Sequence, residues 1–370
     1  MAAKTVPITP VVLAWALEED GRPLQDIADR IGVKTDALRE WQQGQSQPTV
    51  GQAAKLAEVL GRPRTLFLLP EPPSVAGLPN SFRHPPGAEE LSPAPEVLKL
   101  MRRARRVQHA TAWALRESPP VEVPTANLNT IPDTAARAAV SWLAWPEPQY
   151  PDEWTAWRQR RAALEERDLL VFSLALGEKS VRGFSAWEDH APLIVVNSTN
   201  NSPQVRSFTL LHELGHLLLR SDAACVPTEG ARVPEAAVER WCEAFAAAVL
   251  IPRAIAESVE RRSGSDVDAV RNLARACWIS HRAAALRLIE LGLAPRELYA
   301  QVDALFKPGV KASGGGGERR HEARLREYGP RPLQLVLGSL PARDALSVLR
   351  IGVDDVRSLE AELPNLRTAL

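Results

Sequence analysis

The sequence predicts a mainly α-helical protein with one small β-sheet, an α+β chain laid out in three successive parts. Three observations lead there. Short segments with helical spacing of apolar residues fill the first 70 positions. One helix in the middle is apolar on nearly every side yet carries two histidines and a glutamate. Only the apolar runs LLVFSLAL and PLIVVN, with GFSAW between them, have strand character. A length of 370 residues suits two or three domains, and 45% hydrophobic with 24% charged residues is the balance of a soluble globular chain.

Taken in order, Thr9 and Pro10 are an N-cap and first-turn pair opening VVLAWALEE. LQDIADR comes next and ends before Gly32. TDALREWQQ starts at a Thr35 cap and stops at Gly44, and VGQAAKLAEVL ends at Gly61. These helices make a first domain over 6–70. The prolines from Pro70 to Pro95 cannot continue a helix and read as a linker. Residues 96–117 form one periodic helix bearing Lys99, Arg102, Arg103, Arg105, Arg106 and Arg116, so that 71–119 is a proline-rich linker ending in a basic helix. A second domain spans 120–300. Its helix WTAWRQRRAALEERD leads into the strands, and helices near 203–220, 234–250 and 280–291 dominate its remainder. The tract GGGG at 314–317 is a flexible joint, and 318–366 is a last small helical domain.

Forty-five basic and forty-five acidic residues cancel, so whole-chain charge selects no partner. Cys225, Cys242 and Cys277 are an odd number without a C-x-x-C pair, which suits a reducing cytoplasm better than a disulfide framework. The first twenty residues lack a signal-peptide core, and no apolar run approaches the ~18 residues of a membrane span. A soluble cytoplasmic protein without a membrane partner is the expectation.

The segment FTLLHELGHLLLR holds His212-Glu213-Leu214-Gly215-His216, an H-E-x-x-H pattern. Residues four apart share a helix face, so both imidazoles can bind one zinc ion, while Glu213 lies beside it and can take a proton from water. Burying two histidines and a glutamate without a partner would be costly. A catalytic zinc needs a third protein ligand, and the residues offer three. Asp222 stands where an aspartate-liganded variant would place it, although Leu219 is not the glycine of that pattern. Glu239 lies on the helix AAVERWCEAFAAAVLIP, one turn before Glu243, so that one glutamate could bind metal while the other orients a histidine. Cys242 is chemically a good ligand, but free cysteines are more often small buried residues. His190 and His281 are the remaining histidines of this region and read as surface or structural.

The stretches IVVNSTNNSPQVRSFTLLHELGHLLL and ERWCEAFAAAVLIP resemble the ImmA/IrrE family of zinc peptidases, in which an E-x-x-A-N-x-F-A helix follows the H-E-x-x-H helix. ISHRAAALRLIELGL is similar to a later helix of that family, S-x-x-A-x-x-x-R-L-x-x-L-G. The likeness covers about 120–295. It implies a zincin-like peptidase fold with Glu239 as third ligand beside His212 and His216, and Glu213 as general base. Zn2+ is the implied metal, with Mn2+ as an alternative in the cell. Cys242 stands where the family has alanine, and Glu243 where it has asparagine, both next to the metal.

The first four helices, with EWQQGQSQPTVGQAAKLAEVLG, resemble the Xre/Cro-type helix-turn-helix domain. Such a domain would turn Thr35, Asp36, Arg39 and Gln43 toward DNA bases. Residues 1–60 carry six basic and eight acidic residues, however, a poor footprint for phosphates, and Leu24 stands where DNA-binding relatives have glutamine. DNA contact through 9–60 and the basic helix 96–117, or docking of a protein partner, are the two expectations. By resemblance the protein substrate is a helix-turn-helix repressor, whose cleavage derepresses stress-response or mobile-element genes, and the last domain serves self-association, as in a homodimer. The rival class is a non-catalytic DNA-binding regulator or antitoxin-like protein with a retained zinc site. The intact Glu213 favours the enzyme, since a structural zinc has no use for it.

Overall fold

The computed structural model describes residues 4–18, 20, 22–72, 94–145, 150–177, 181–199, 201–220, 235–306 and 319–363. The chain divides into two compact units, Met1–Gly77 with Leu91–Arg102, and Leu78–Glu90 with Arg103–Leu370.

In the first unit, helices α1 (Pro10–Glu18), α2 (Leu24–Ile31), α3 (Thr35–Gln43) and α4 (Val50–Val59) precede a 3-10 turn at Arg64–Leu68. Gly32 and Gly44 end α2 and α3 with φ of 82° and 73°, the left-handed conformation that glycine adopts without a Cβ penalty. Thr35 is not the cap expected from the sequence. Lys34 holds that position without a side-chain bond, and the Thr35 hydroxyl donates to Gln25 instead. Thr49 and Gln52 close a reciprocal capping box on α4. Val12, Leu13, Ile27, Leu38, Trp41, Leu56, Leu60 and Phe67 form the core. The unit also takes in the start of α5 (Pro95–Ala114). There Arg102 is buried, its Nη1 donating to the Leu60 carbonyl and lying 3.9 Å from the buried carboxylate of Asp20.

In the second unit the rest of α5 is equally enclosed. Arg103 reaches the Tyr328 hydroxyl and Glu327, Arg105 donates to Gln108, and both arginines are buried. The arginines at 102, 103 and 105 therefore do not make the solvated, phosphate-tracking face that the charge run suggested. Gln108 donates to the carbonyls of Ala186 and Ala191 at 2.9 and 2.8 Å.

Beyond α6 (Pro132–Trp142) and α7 (Glu153–Glu165) comes the sheet: β1 (Leu170–Leu174), β2 (Gly183–Ala186) and β3 (Leu193–Asn197). Its order is β1-β3-β2, with β3 parallel to β1 and antiparallel to β2. All three strands are buried along their length, hence the unbroken apolar runs in place of alternation. Helix α8 (Pro203–Leu219) packs on β2 and β3, and α9 (Glu235–Leu250) packs on α8 and α6.

Helices α10 (Arg253–Arg262) and α11 (Asp266–Cys277), not expected from the sequence, lie between α9 and α12 (His281–Glu290); α13 (Leu298–Leu305) comes after them. Arg287, the arginine of the family-like S-x-x-A-x-x-x-R pattern, is fully buried on α12. It donates to Asp133 of α6 at 2.6 Å, to Glu290 at 3.0 Å and to the Ile251 carbonyl after α9 at 3.2 Å. The guanidinium is buried, whereas Asp133 and Glu290 keep contact with solvent. Helices α14 (Arg320–Tyr328), α15 (Pro330–Ser339), α16 (Ala342–Leu349) and α17 (Val353–Glu362) belong to the same unit. Buried Tyr328 packs edge-on against Phe172 of β1 with ring centroids 4.8 Å apart. The GGGG tract, Cys225 and Asp222 lie outside the described residues.

Candidate metal centre

Helix α8 starts sharply because Ser202 accepts from the Val205 amide and Pro203 occupies the first turn, where its missing N–H is harmless. From Thr209 to Leu218 every residue is buried, as a helix enclosed between a sheet and other helices must be. His212, Glu213 and His216 are thus buried together with Thr209, at 0%, 3% and 4% exposed for the first three. Alanine-rich α9 lies alongside, anchored by Trp241, whose indole N–H donates to the Thr130 carbonyl at 2.7 Å.

The two helices bring three ligand atoms to one point. His212 Nε2 and His216 Nε2 are 3.2 Å apart, and the Glu239 carboxylate lies 3.2 Å from the first and 3.3 Å from the second. Bonds of about 2.0–2.1 Å to a tetrahedral zinc require ligand–ligand separations of about 3.3 Å. The donor set, two imidazoles and one carboxylate, fits such an ion in chemistry and in spacing. Among the described residues these three form the group able to hold a metal. Cys242, Glu243, His190 and His281 are not in it, and Glu243 is exposed rather than turned toward a histidine.

Electrostatics agree with a place prepared for positive charge. Burial opposes a charge on His216, but its hydrogen bonds with Cys242 and Glu239 prevail and hold it well above the ordinary imidazole value. Burial likewise opposes ionisation of Glu239, and the bonds with His212 and His216 outweigh it, leaving the carboxyl far below its usual range. Burial drives the Cys242 thiol upward.

Glu213 stands on the side of α8 that meets the sheet. Its Oε1 would be 3.2 Å from a Cβ built on Gly183, the first residue of β2, and the same Cβ would be 2.6 Å from Thr209 Cγ2 and 2.7 Å from the Val195 carbonyl oxygen. The strand approaches the carboxylate this closely only because position 183 has no side chain. GFSAW was legible as a strand, but nothing in it announced contact with Glu213.

A helix presenting two histidines and an acid, completed by a carboxylate from the next helix, defines the class of the zinc-peptidase-like metal centres. Residues 164–288 match the family model of the IrrE N-terminal-like domain, and residues 13–67 match a helix-turn-helix model, so the chain carries a domain of each family. Two curated relatives, both radiation response metalloproteases IrrE, are similar to it. The protein of Deinococcus deserti is 33% identical over 138 residues, 36% of this chain and 48% of the relative. That of Deinococcus radiodurans is 31% identical over 110 residues, 28% of this chain and 33% of the relative. The chain thus spans between a third and a half of the length of the curated relatives it matches.

Proposed function

We propose that this chain is a zinc-dependent endopeptidase, with His212, His216 and Glu239 as the metal ligands and Glu213 as the general base. The observation that carries the proposal is the closing of three ligand atoms to tetrahedral spacing beside a buried carboxylate that is not among them. Bound zinc supplies a Lewis acid and a lowered water pKa. Glu213 accepts the proton of the attacking water and delivers it to the amine leaving from the scissile bond. The buried surroundings of α8 strengthen each of these charge interactions by excluding water.

The similarity to radiation response metalloproteases supports a stress-response setting, and the helix-turn-helix domain supports a substrate met in transcription. We assign as substrate a helix-turn-helix repressor, cleaved in the cytoplasm to release stress-response or mobile-element genes. No helix among the described residues is long and apolar enough to cross a membrane. The test mixes purified protein with a repressor encoded beside it, with and without zinc. Glu213→Gln should keep its zinc and lose roughly 10²–10⁴-fold in cleavage rate, the usual worth of a general base. Cleavage at the wild-type rate by this variant would remove Glu213 from the chemistry.

A further inference from the structure

The sheet order β1-β3-β2, with β1 parallel to β3 and β2 antiparallel to it, sends the connection from β1 to β2 across the end of β3. The residue at that end is Asn197, which is buried. Its side-chain amide spends its whole bonding capacity on backbone. Oδ1 accepts from the amides of Leu176 and Thr199 at 3.1 and 2.9 Å, and Nδ2 donates to the carbonyls of Gly177 and Val181 at 2.8 and 2.9 Å. The backbone N–H of Asn197 donates to the Arg182 carbonyl at 2.8 Å, and Thr199 Oγ1 accepts from the Gly177 amide at 3.0 Å. Both ends of the crossing are thereby tied to one residue, and the second end runs directly into Gly183. The other side of Asn197 is tied to α8. Asn201 donates to the Asn197 carbonyl at 2.9 Å, and Arg206 of α8 donates to the carbonyls of Ser198 and Asn201, both at 2.9 Å.

We propose that Asn197 is a positioning residue for the reaction, anchoring the entry of β2 to α8 so that Gly183 meets Glu213 at a fixed distance. β2 is four residues long and stands at the edge of the sheet, so its own ladder gives it little hold. The bonds close a circuit. It starts at Arg206 on α8, passes through Ser198 and Asn201 to Asn197, and continues to Val181 and Arg182. It ends at Gly183, where a Cβ would lie 3.2 Å from Glu213 Oε1, on the same helix that holds Arg206. Aspartate has the shape of asparagine and would keep the two accepting bonds, but it would turn an oxygen toward the carbonyls of Gly177 and Val181. Unmet groups in a buried network are costly, so the strand entry would move away. A catalytic group misplaced by about 1 Å can lose roughly 10²-fold in rate.

The inference rests on the peptidase reading proposed above and is tested on the full chain. Asn197→Asp and the milder Thr199→Val, which removes only the bond from the Gly177 amide, would be compared with wild type below the melting point of each. The measurements are zinc content, amide hydrogen exchange, and kcat and KM on the repressor encoded beside the protein. In Asn197→Asp, exchange across β2 should rise more than about 10-fold, above the worth of one hydrogen bond, while α9 keeps its protection and zinc content stays at the wild-type level. Its kcat should fall roughly 10–100-fold with KM unchanged, as expected when a group that acts in the transition state is displaced. Thr199→Val should raise β2 exchange roughly 2–10-fold and lower kcat in the same direction, and it carries the test if Asn197→Asp does not fold. Full kcat in a variant whose β2 exchanges faster would overturn the proposal, as would unchanged exchange in β2. Equal loss of protection in β2 and α9 would overturn it too, leaving Asn197 a general support of the fold. A wild-type chain that leaves the repressor intact would instead sink the peptidase reading, and the positioning role with it.

Discussion

Gly183 offers the sharpest test of how Glu213 is held. Its backbone is not in the left-handed region, so the requirement for glycine there is one of space. An added methyl group would meet Thr209 Cγ2 at 2.6 Å and the Val195 carbonyl oxygen at 2.7 Å, both nearer than real Cβ contacts come. Val195 O belongs to the paired strand, where Phe184 faces Val195 and Gly183 faces Val196, and it cannot withdraw without disturbing that register. Overpacking of this kind costs about 1–3 kcal/mol, and alanine recovers about 0.4–1 kcal/mol through the unfolded chain. A net loss of about 1.5 kcal/mol, at roughly 2–4 °C per kcal/mol for a unit of this size, predicts that Gly183→Ala melts roughly 3–6 °C lower. Glu213 Oε1, at 3.2 Å from the new carbon, must also give way, so cleavage should fall while zinc content stays at the wild-type level. Gly264 has nothing within 4 Å of its notional Cβ, and Gly264→Ala is the neutral control. Scanning calorimetry and metal analysis of the three proteins decide the matter. A Gly183→Ala protein that melts with wild type and cleaves its substrate at full rate would refute the account of how β2 seats Glu213.

Glu239→Gln should weaken zinc binding by about two to three decades, because a complete zinc site is worth about 10–16 kcal/mol and one ligand carries roughly 3–4 of it. Asp222→Asn should bind normally in the same dialysis assay; loss in the Asp222 variant alone would transfer the third-ligand role to that residue. Full-length protein should bind duplex DNA weakly at ~50 mM salt and release it by ~200 mM, because exposed Asp36 and Glu40 flank Arg39 on α3 and Asp36 pairs with it at 2.8 Å. Asp36→Asn combined with Glu40→Gln should tighten that binding in gel shifts, and tight, sequence-selective binding by wild type at ~200 mM would show that net charge misleads here.

How much of the molecule was legible in the sequence depends on the range of the forces involved. Helix ends at Gly32 and Gly44 and the strands at 170–174 and 193–197 are written in local chemistry, and the H-E-x-x-H spacing needs only the geometry of one helix. Glu239 was one of three candidates by residue type, singled out only by family likeness, because proximity across two helices is not a local property. The arginines of α5 show the opposite failure. A run of cations reads as a solvated face, yet Arg102 and Arg103 are buried on long-range partners, Asp20 and the Leu60 carbonyl for one and Tyr328 with Glu327 for the other. No periodicity in the α5 segment could announce partners dozens or hundreds of residues away.

The two unassigned positions of the H-E-x-x-H pattern have a physical reading as well. Leu214 and Gly215 separate the histidines, and a helix formed for its own sake would prefer almost any residue to glycine, at a cost of about 1 kcal/mol relative to alanine. Gly215 is retained where the Cα of Cys242 would lie 3.2 Å from its Cβ, which means that α9 presses on α8 at backbone range. That approach is what allows Glu239, one turn earlier on α9, to reach both imidazoles with a short carboxylate arm. Gly183 performs the same service on the sheet side, admitting β2 to the face that bears Glu213. One helix thus receives the helix that bears Glu239 and a strand through two missing side chains. An alanine at either place would enlarge the distance that the chemistry depends on while leaving every ligand, and the motif itself, unchanged in sequence.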